Sequence, residues 1–424
     1  MWLLYNLLLT LLSPIWVPWM LFRTWKRKEK PNWKERQGDF SLTPGPPRIW
    51  VHTVSVGEFV ASKPILREIR KALPKHEILV SVTTSSGFRT AAESEPELYD
   101  HLVYFPLDMA RFQLAAMQRV QPDVVAIMET ELWMNFLWAA KVFDAKTVLI
   151  NGRISDRSFP RAKLIRFFYK ALLKDVDQCL MQSEIDAERI LALGAKEAKA
   201  LGNCKFDQAA EALVADPEEW RRKLNLDEKP VIVIGSTRDE AEEKLVIEAI
   251  RLVSLDRVNV IHAPRHLERV EALAGLVRTT FGSVALRSKN ESGPYLILDT
   301  YGELAQVYSV ADVVVIGGGF SNLGGQNIIQ PLALGKPVIH GPHMQNFRDV
   351  AASATRAGAS EIAASAEDLA AQITELLQND QKRTELSDAA RQLVQANLGA
   401  SRRYAEAIAA LAEEAAATKA KRRK

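Results

Sequence analysis

Residues 52–58 read His-Thr-Val-Ser-Val-Gly-Glu, directly after the apolar run Ile49-Trp50-Val51. The pattern predicts a short buried strand, a Ser/Gly turn and a helix start that carries Glu58. A carboxylate there stands at the carboxyl end of an α/β sheet, where such folds bind ligands. It is a natural general base for an attacking hydroxyl. The alternative is an ordinary first-turn glutamate favoured by the helix dipole. Glu129-Thr-Glu131-Leu-Trp133 follows the apolar run Val124–Met128 and brings two more carboxylates to a strand end, as reactive or capping groups. Asn151-Gly-Arg153-Ile-Ser155-Asp156-Arg157 follows the next run and offers guanidinium forks suited to carboxylates and phosphates. Lys205, in Gly202-Asn-Cys-Lys-Phe-Asp207, supplies an ammonium able to offset charge on a leaving phosphate.

A second group lies further on. Gly235-Ser-Thr-Arg238 follows a strand and opens an acidic helix from Asp239 to Ile250, which makes an anion site at a helix N-terminus. Pro264-Arg265-His266 follows the next strand. The glycine-rich stretch Gly317–Gly325 precedes Gln326-Asn327-Ile328-Ile329-Gln330-Pro331, and its backbone N–H groups are expected to approach a phosphate. It lacks the Gly-Lys-Ser/Thr of a P-loop, and it comes too late in its domain for a dinucleotide fingerprint. Asp175-Val-Asp177 has metal-ligand spacing but sits where aspartates commonly make a turn. With no His/Glu cluster at metal spacing, a metal-free site without a cofactor is expected.

These residues need a scaffold. Strand-like runs alternate with helical patterns. In the first half the runs are Ile49–Val51, Ile78–Thr83, Val103–Phe105, Val124–Met128, Thr147–Ile150, Gln178–Gln182 and Lys199–Leu201. Helices are expected over Glu58–Leu73, Met109–Val120 and Arg161–Lys174. A second series comprises Val231–Gly235, Val258–His262, Tyr295–Leu298, Val313–Ile316 and Pro337–His340. Such alternation implies parallel sheets covered by helices on both faces. The expected fold is α/β, two doubly wound Rossmann-like domains facing a cleft, with an N-terminal membrane-anchor helix; this is the GT-B architecture of nucleotide-sugar glycosyltransferases, although dehydrogenases show similar alternation. The expected limits are 1–30 for the anchor and its basic flank, 31–207 for the N-terminal Rossmann-like domain, 208–228 for a connection, 229–385 for the C-terminal Rossmann-like domain and 386–424 for a helical tail.

At 424 residues the chain exceeds one ordinary core. A net charge of +3 is too small to argue for nucleic acid, and the two cysteines, Cys179 and Cys204, exclude a disulfide scaffold. Residues 1–22 carry no charge, and Arg23, Lys26, Arg27, Lys28 and Lys30 follow at once. About 20 apolar residues suffice to span a bilayer, with the basic flank held in the cytoplasm. Pro14 and Pro18 argue against a straight span, while Trp2, Trp16 and Trp19 suit an interface. Either form leaves the catalytic body on the cytoplasmic side of the inner (plasma) membrane.

In order along the chain stand Ser-Val-Gly-Glu58, Glu129-Thr-Glu-Leu-Trp, Asn151-x-Arg-x-Ser-x-Arg-Ser158, Gly202-Asn-x-Lys-Phe-Asp207, Pro264-Arg-His, Tyr301-Gly-Glu-Leu304 and Gly341-Pro-His-x-x-Asn-Phe347. Together they resemble the 3-deoxy-D-manno-octulosonic acid (Kdo) transferases of lipopolysaccharide synthesis over nearly the whole chain. The resemblance implies inverting, metal-independent transfer of Kdo from CMP-Kdo to a lipid A precursor, lipid IVA. It implies Glu58 as base, with Glu129 and Lys205 stabilising the transition state. It implies CMP contacts at Pro264, Arg265, Tyr301, Gly302, Glu303, Asn327, Ile328, Ile329 and Gln330. Two positions depart from the family: Gln326 and Gln330 stand where His and Glu are usual. Gln330 still accepts through its carbonyl oxygen, but a charge-assisted bond of about 1.5–3 kcal/mol becomes a neutral one of about 1. Donor affinity should then be roughly tenfold weaker. The alternative is a divergent GT-B transferase that uses another nucleotide sugar.

Overall fold

The computed structural model describes residues 1–26, 32–43, 45–155, 158–211 and 215–422. Arg27, Lys28 and Lys30 of the basic flank, and Asp156 and Arg157 of the Asn151–Ser158 motif, lie outside the described residues. The chain forms two compact units. One is Met1–Gln208 with Asn397–Lys424, and the other is Ala209–Ala396.

The first unit is built on seven parallel strands: β1 (Arg48–Thr53), β2 (Glu77–Val82), β3 (His101–Tyr104), β4 (Pro122–Met128), β5 (Lys146–Gly152), β6 (Gln178–Met181) and β7 (Ala198–Ala200). Their order is β3-β2-β1-β4-β5-β6-β7. Every residue of β1 and β4 is buried, as expected of strands covered on both faces. The period of two sorts their side chains. Trp50, Val125 and Ile127 join one core, whereas Ile49, Val51, Val124 and Ala126 join the other. The chain order reverses at β1, which pairs with β2 on one side and β4 on the other. The crevice beyond the carboxyl ends of β1 and β4 is therefore the topological place for a ligand.

The second unit repeats the plan with β8 (Val231–Thr237), β9 (Asn259–Pro264), β10 (Ala285–Leu286), β11 (Tyr295–Ile297), β12 (Val313–Ile316), β13 (Val338–His340) and β14 (Ser360–Ile362). The order is β10-β11-β9-β8-β12-β13-β14, all parallel, with the reversal at β8 between β9 and β12. Edge strands β10 and β14, two and three residues long, are too short to announce themselves by periodicity.

Three expectations change. The single helix over Arg161–Lys174 is two, Ser158–Leu164 and Arg166–Leu173, broken at Ile165. No Gly or Pro marks the break; it turns Leu164, Ile165 and Phe167 outward. The tail expected over 386–424 divides. The helix Asp380–Asn397 runs to the end of the second unit, whereas Ala400–Arg422 packs on β4, β5 and the helix Val56–Ala72 of the first. The N-terminal segment is a pair, Trp2–Leu11 and Ser13–Lys26. Among the described residues no single helix is long and apolar enough to cross a membrane. The portions Trp2–Leu11 and Ser13–Met20, bent by 65°, pass that test only together.

Candidate active site

Glu58 and Glu129 follow β1 and β4, the two strands that flank the reversal. Ser55 caps the helix Val56–Ala72, its hydroxyl accepting from the Glu58 N–H. The Glu58 carboxylate turns back and accepts from the Val54 N–H at 2.8 Å and the Ser55 hydroxyl at 3.1 Å. This is a variant of the capping box, with the carboxylate on the N–H before the N-cap, so the structural reading of Glu58 is real. It does not exhaust the residue. Burial raises its pKa to about 7; the Val54 N–H opposes the rise, and the charges of Glu129 and Glu131 add to it. Burial first, then Glu129, also raises Glu131. Two cap bonds do not use all the lone pairs of two carboxylate oxygens.

Glu129 sits in left-handed backbone, φ 53°, where a non-glycine residue is held only by its surroundings. Its N–H donates to the Ile150 carbonyl at 3.0 Å, and its carboxylate accepts from Lys205 Nζ at 3.0 Å. Lys205 is placed by a chain of buried amides. Asn151, also left-handed at φ 51°, accepts from the Cys204 N–H at 3.2 Å. Asn203 donates to Gln182 and accepts from the Lys205 N–H at 3.0 Å. Motifs separated in sequence thus form one assembly. Sequence reasoning named Asn151 only as part of an arginine motif, and no periodicity signals that it buttresses a lysine more than fifty residues away. Asp207 of the same motif serves elsewhere, accepting from the N–H groups of Gly399 and Ser401 at the start of the C-terminal helix.

Two histidine-bearing motifs turn out to be core. His52 is fully buried, stacked on Phe105 at 3.8 Å, and burial lowers its pKa to about 3. His262 lies between the Thr237 hydroxyl and the Tyr295 hydroxyl, with its pKa likewise lowered to about 3. Asp177 accepts from the Thr147 N–H at 2.8 Å, which makes it a strand-end tie. Among the described residues no group of three His, Cys, Asp or Glu is placed to hold a metal ion.

In the second unit the glycine-rich loop leaves β12, and Arg238 leaves β8. Gly317 passes so close to β8 that a Cβ would lie 2.6 Å from the Thr237 nitrogen. Two of the glycine-rich loop's N–H groups turn inward. The buried Glu242 carboxylate accepts from the N–H groups of Arg238, Phe320 and Gly318, so those donors are already taken. The Arg238 guanidinium donates to the Leu323 carbonyl at 2.9 Å. The Gly341–Phe347 segment braces the loop from outside: His343 N–H donates to Gly319 and Asn346 N–H to Gly324. Glu242 was hidden in a run of helix-start acids that gives no sign of which one turns inward.

The remaining expected donor contacts fall into two sets. Arg265 and Gly302 are exposed, and Tyr301 is 75% exposed. Glu303 is held by Arg287 at 3.0 Å and by Thr300. Pro264 ends β9 and is buried. Ile328 and Ile329 are buried core side chains, so only their backbone is available to a ligand. The Asn327 side-chain oxygen accepts from the Ile329 N–H at 2.9 Å, and Gln330 stands partly exposed in the first turn that follows.

Two doubly wound parallel domains of this kind make up the GT-B fold. The structure is similar to that of Acinetobacter baumannii MurG, with a TM-score of 0.58 at 14% identity over 86% of this chain and 99% of that one. The profile of the family "3-Deoxy-D-manno-octulosonic-acid transferase (kdotransferase)" matches residues 31–208, and that of "Glycosyl transferases group 1" matches residues 288–393. The chain is 32% identical to the 3-deoxy-D-manno-octulosonic acid transferase of Bordetella pertussis, over 95% of this chain and 98% of that one. It is also 32% identical, over 82% of its length, to a bifunctional glycosyltransferase/methyltransferase of Fusobacterium nucleatum, of which it spans about half, 54%. This chain belongs to the 3-deoxy-D-manno-octulosonic acid transferase family.

Proposed function

We propose that the protein transfers Kdo from CMP-Kdo to the lipid A precursor lipid IVA in lipopolysaccharide biosynthesis, with inversion and without a metal. One observation carries the chemistry: a carboxylate of raised pKa at the end of β1 beside an ion-paired Glu129–Lys205 at the end of β4. A base whose pKa lies near 7 suits proton transfer at neutral pH. Glu58 would take the proton of the acceptor hydroxyl as its oxygen attacks the anomeric carbon. The bond from that carbon to the cytidylate phosphate breaks as the new one forms, and CMP leaves with the electron pair. Lys205 and Arg265 would offset the negative charge of the donor, whose carboxylate and phosphate suit cations. Exposed Tyr301 and partly exposed Asn327 and Gln330 would hold the nucleotide from the second unit. A lipid acceptor fits an N-terminal segment free of charge through residue 22, anchoring the protein at the inner membrane with its body in the cytoplasm.

Incubation with CMP-Kdo and tetraacyl lipid A precursor should give a product lipid heavier by one or more Kdo units. A second reading rests on Gln326 and Gln330: a divergent transferase using another nucleotide sugar. Tighter binding of UDP-sugars than of CMP-Kdo would establish that reading and remove the first.

A further inference from the structure

The function proposed above leaves an apolar surface of the first unit unused. The helix Trp2–Leu11 is divided lengthwise. Trp2, Tyr5, Asn6 and Leu9, at the i, i+3, i+4, i+7 spacing of one helical face, are partly buried. The Tyr5 hydroxyl donates to Asp108 at 2.7 Å, and Asn6 exchanges amide bonds of 2.9 Å with Asn135. The Trp2 ring lies 4.5 Å from that of Trp138. Leu3, Leu4, Leu7, Leu8 and Leu11 face outward and are exposed. Next to this helix stands the tip between Ser158–Leu164 and Arg166–Leu173, for the rings of Tyr5 and Phe168 are 6.2 Å apart. At the tip Leu164 is 82% exposed, Phe167 63% and Ile165 45%. Residues 158–174 carry Arg161, Lys163, Arg166, Lys170 and Lys174 and no acid.

We infer that the first unit seats on an anionic bilayer through two adjoining insertions, the N-terminal helical pair and the Leu164–Phe167 tip, with the pair lying in the interface plane rather than crossing it. The inference rests on the lipid-acceptor reading and adds to it a second contact and an orientation. A crossing helix would pull Tyr5 and Asn6 off Asp108 and Asn135 and place them in hydrocarbon, where unpaired polar groups are costly. The 65° bend at Leu12 interrupts a straight span and lets both halves lie in the interface plane. A contiguous exposed apolar patch is uncommon on a solvated surface, and the basic residues around this one complement anionic headgroups. The tip is also the continuation of the Asn151–Ser158 segment that leaves β5 beside the carboxylates.

The test uses the full chain with single fluorophore-labelled cysteines, Phe167→Cys or Leu11→Cys, since Cys179 and Cys204 are buried. Vesicles of phosphatidylethanolamine and phosphatidylglycerol are added, with phosphatidylcholine vesicles as control. Both probes should blue-shift on anionic vesicles and be quenched at a shallow, similar depth. A response at Leu11 without one at Phe167 overturns the tip while leaving membrane attachment intact. Silence at both positions overturns attachment itself. A Leu11 probe at the bilayer centre overturns the in-plane orientation. Leu164→Ser with Phe167→Ser, both exposed and therefore neutral to folding, should lower vesicle partition about tenfold or more. Unchanged partition overturns the inference.

Discussion

At Glu58 one side chain serves two masters. As a cap it closes the turn after β1, and as a buried acid it keeps its proton up to about pH 7. A carboxyl whose pKa is raised from 4.5 binds its proton more tightly folded than unfolded. Its linkage therefore makes stability fall as pH climbs from about 4.5 to about 7, and adds no further change above. Glu58→Gln keeps one carbonyl oxygen for the Val54 N–H and turns an NH2 donor toward the Ser55 hydroxyl, which can rotate to accept, but it cannot take a proton. Turnover should drop about 10²–10⁴-fold, while thermal unfolding followed across that pH window loses its Glu58-dependent slope. Near-full activity in the variant would remove the base. Gln330 makes the opposite kind of prediction. Restoring the acid with Gln330→Glu should tighten CMP-Kdo binding by roughly tenfold in calorimetry, because a charge-assisted bond replaces a neutral one. An unchanged or weaker affinity would mean that residue 330 does not contact the nucleotide.

At the scale of elements, the legible parts were those with a period. The buried runs that became β1, β4, β8 and β12 announced themselves by composition, and their Gly- and Ser-bearing ends announced the turns where Glu58, Glu129 and Arg238 stand. Groups that act by folding back onto backbone had no period. Glu242 fills the glycine-rich loop, and Asn151 braces the start of the helix Cys204–Glu211, through contacts only the fold creates. Asn151 gives a test of that bracing. Asn151→Ala leaves the buried Cys204 N–H without its acceptor, at about 1–3 kcal/mol, and puts at φ 51° a residue that tolerates left-handed backbone less well than asparagine does, at up to about 1 more. Asn151→Gly loses the same bond without the backbone strain, so denaturant unfolding should place it between the wild type and the alanine variant. Both should lose turnover, because Lys205 no longer has a fixed base beneath its helix start. If the glycine variant kept full turnover, the Asn151 bond would be structural only.

The whole molecule differs from its sequence outline most at the C-terminus. An Ala/Glu-rich stretch ending in Lys-Ala-Lys-Arg-Arg-Lys reads as a helical tail with no evident partner, because alanine leaves no apolar stripe strong enough to stand out. Yet Tyr404, Ile408 and Leu411 of the helix Ala400–Arg422 are buried in the core that contains β1 and β4. Tyr404 donates to the Gly202 carbonyl at 2.7 Å, and Arg403 holds Leu201, so the helix also fixes the loop that carries Asn203 and Lys205. Burying each large side chain contributes about 1.5–3 kcal/mol, and three of them sum to about 5–9. A domain's whole stability is about 5–15 kcal/mol. A chain ending at Asn397 should therefore lose the cooperative unfolding of its first unit and the activity with it. Tyr404→Ala alone should lower stability by about 3–5 kcal/mol and loosen the Lys205 loop, seen as faster amide exchange at residues 201–205. If the truncated chain unfolded at the same temperature and kept its turnover, the last helix would be dispensable, and the network that positions Lys205 would have to be self-supporting.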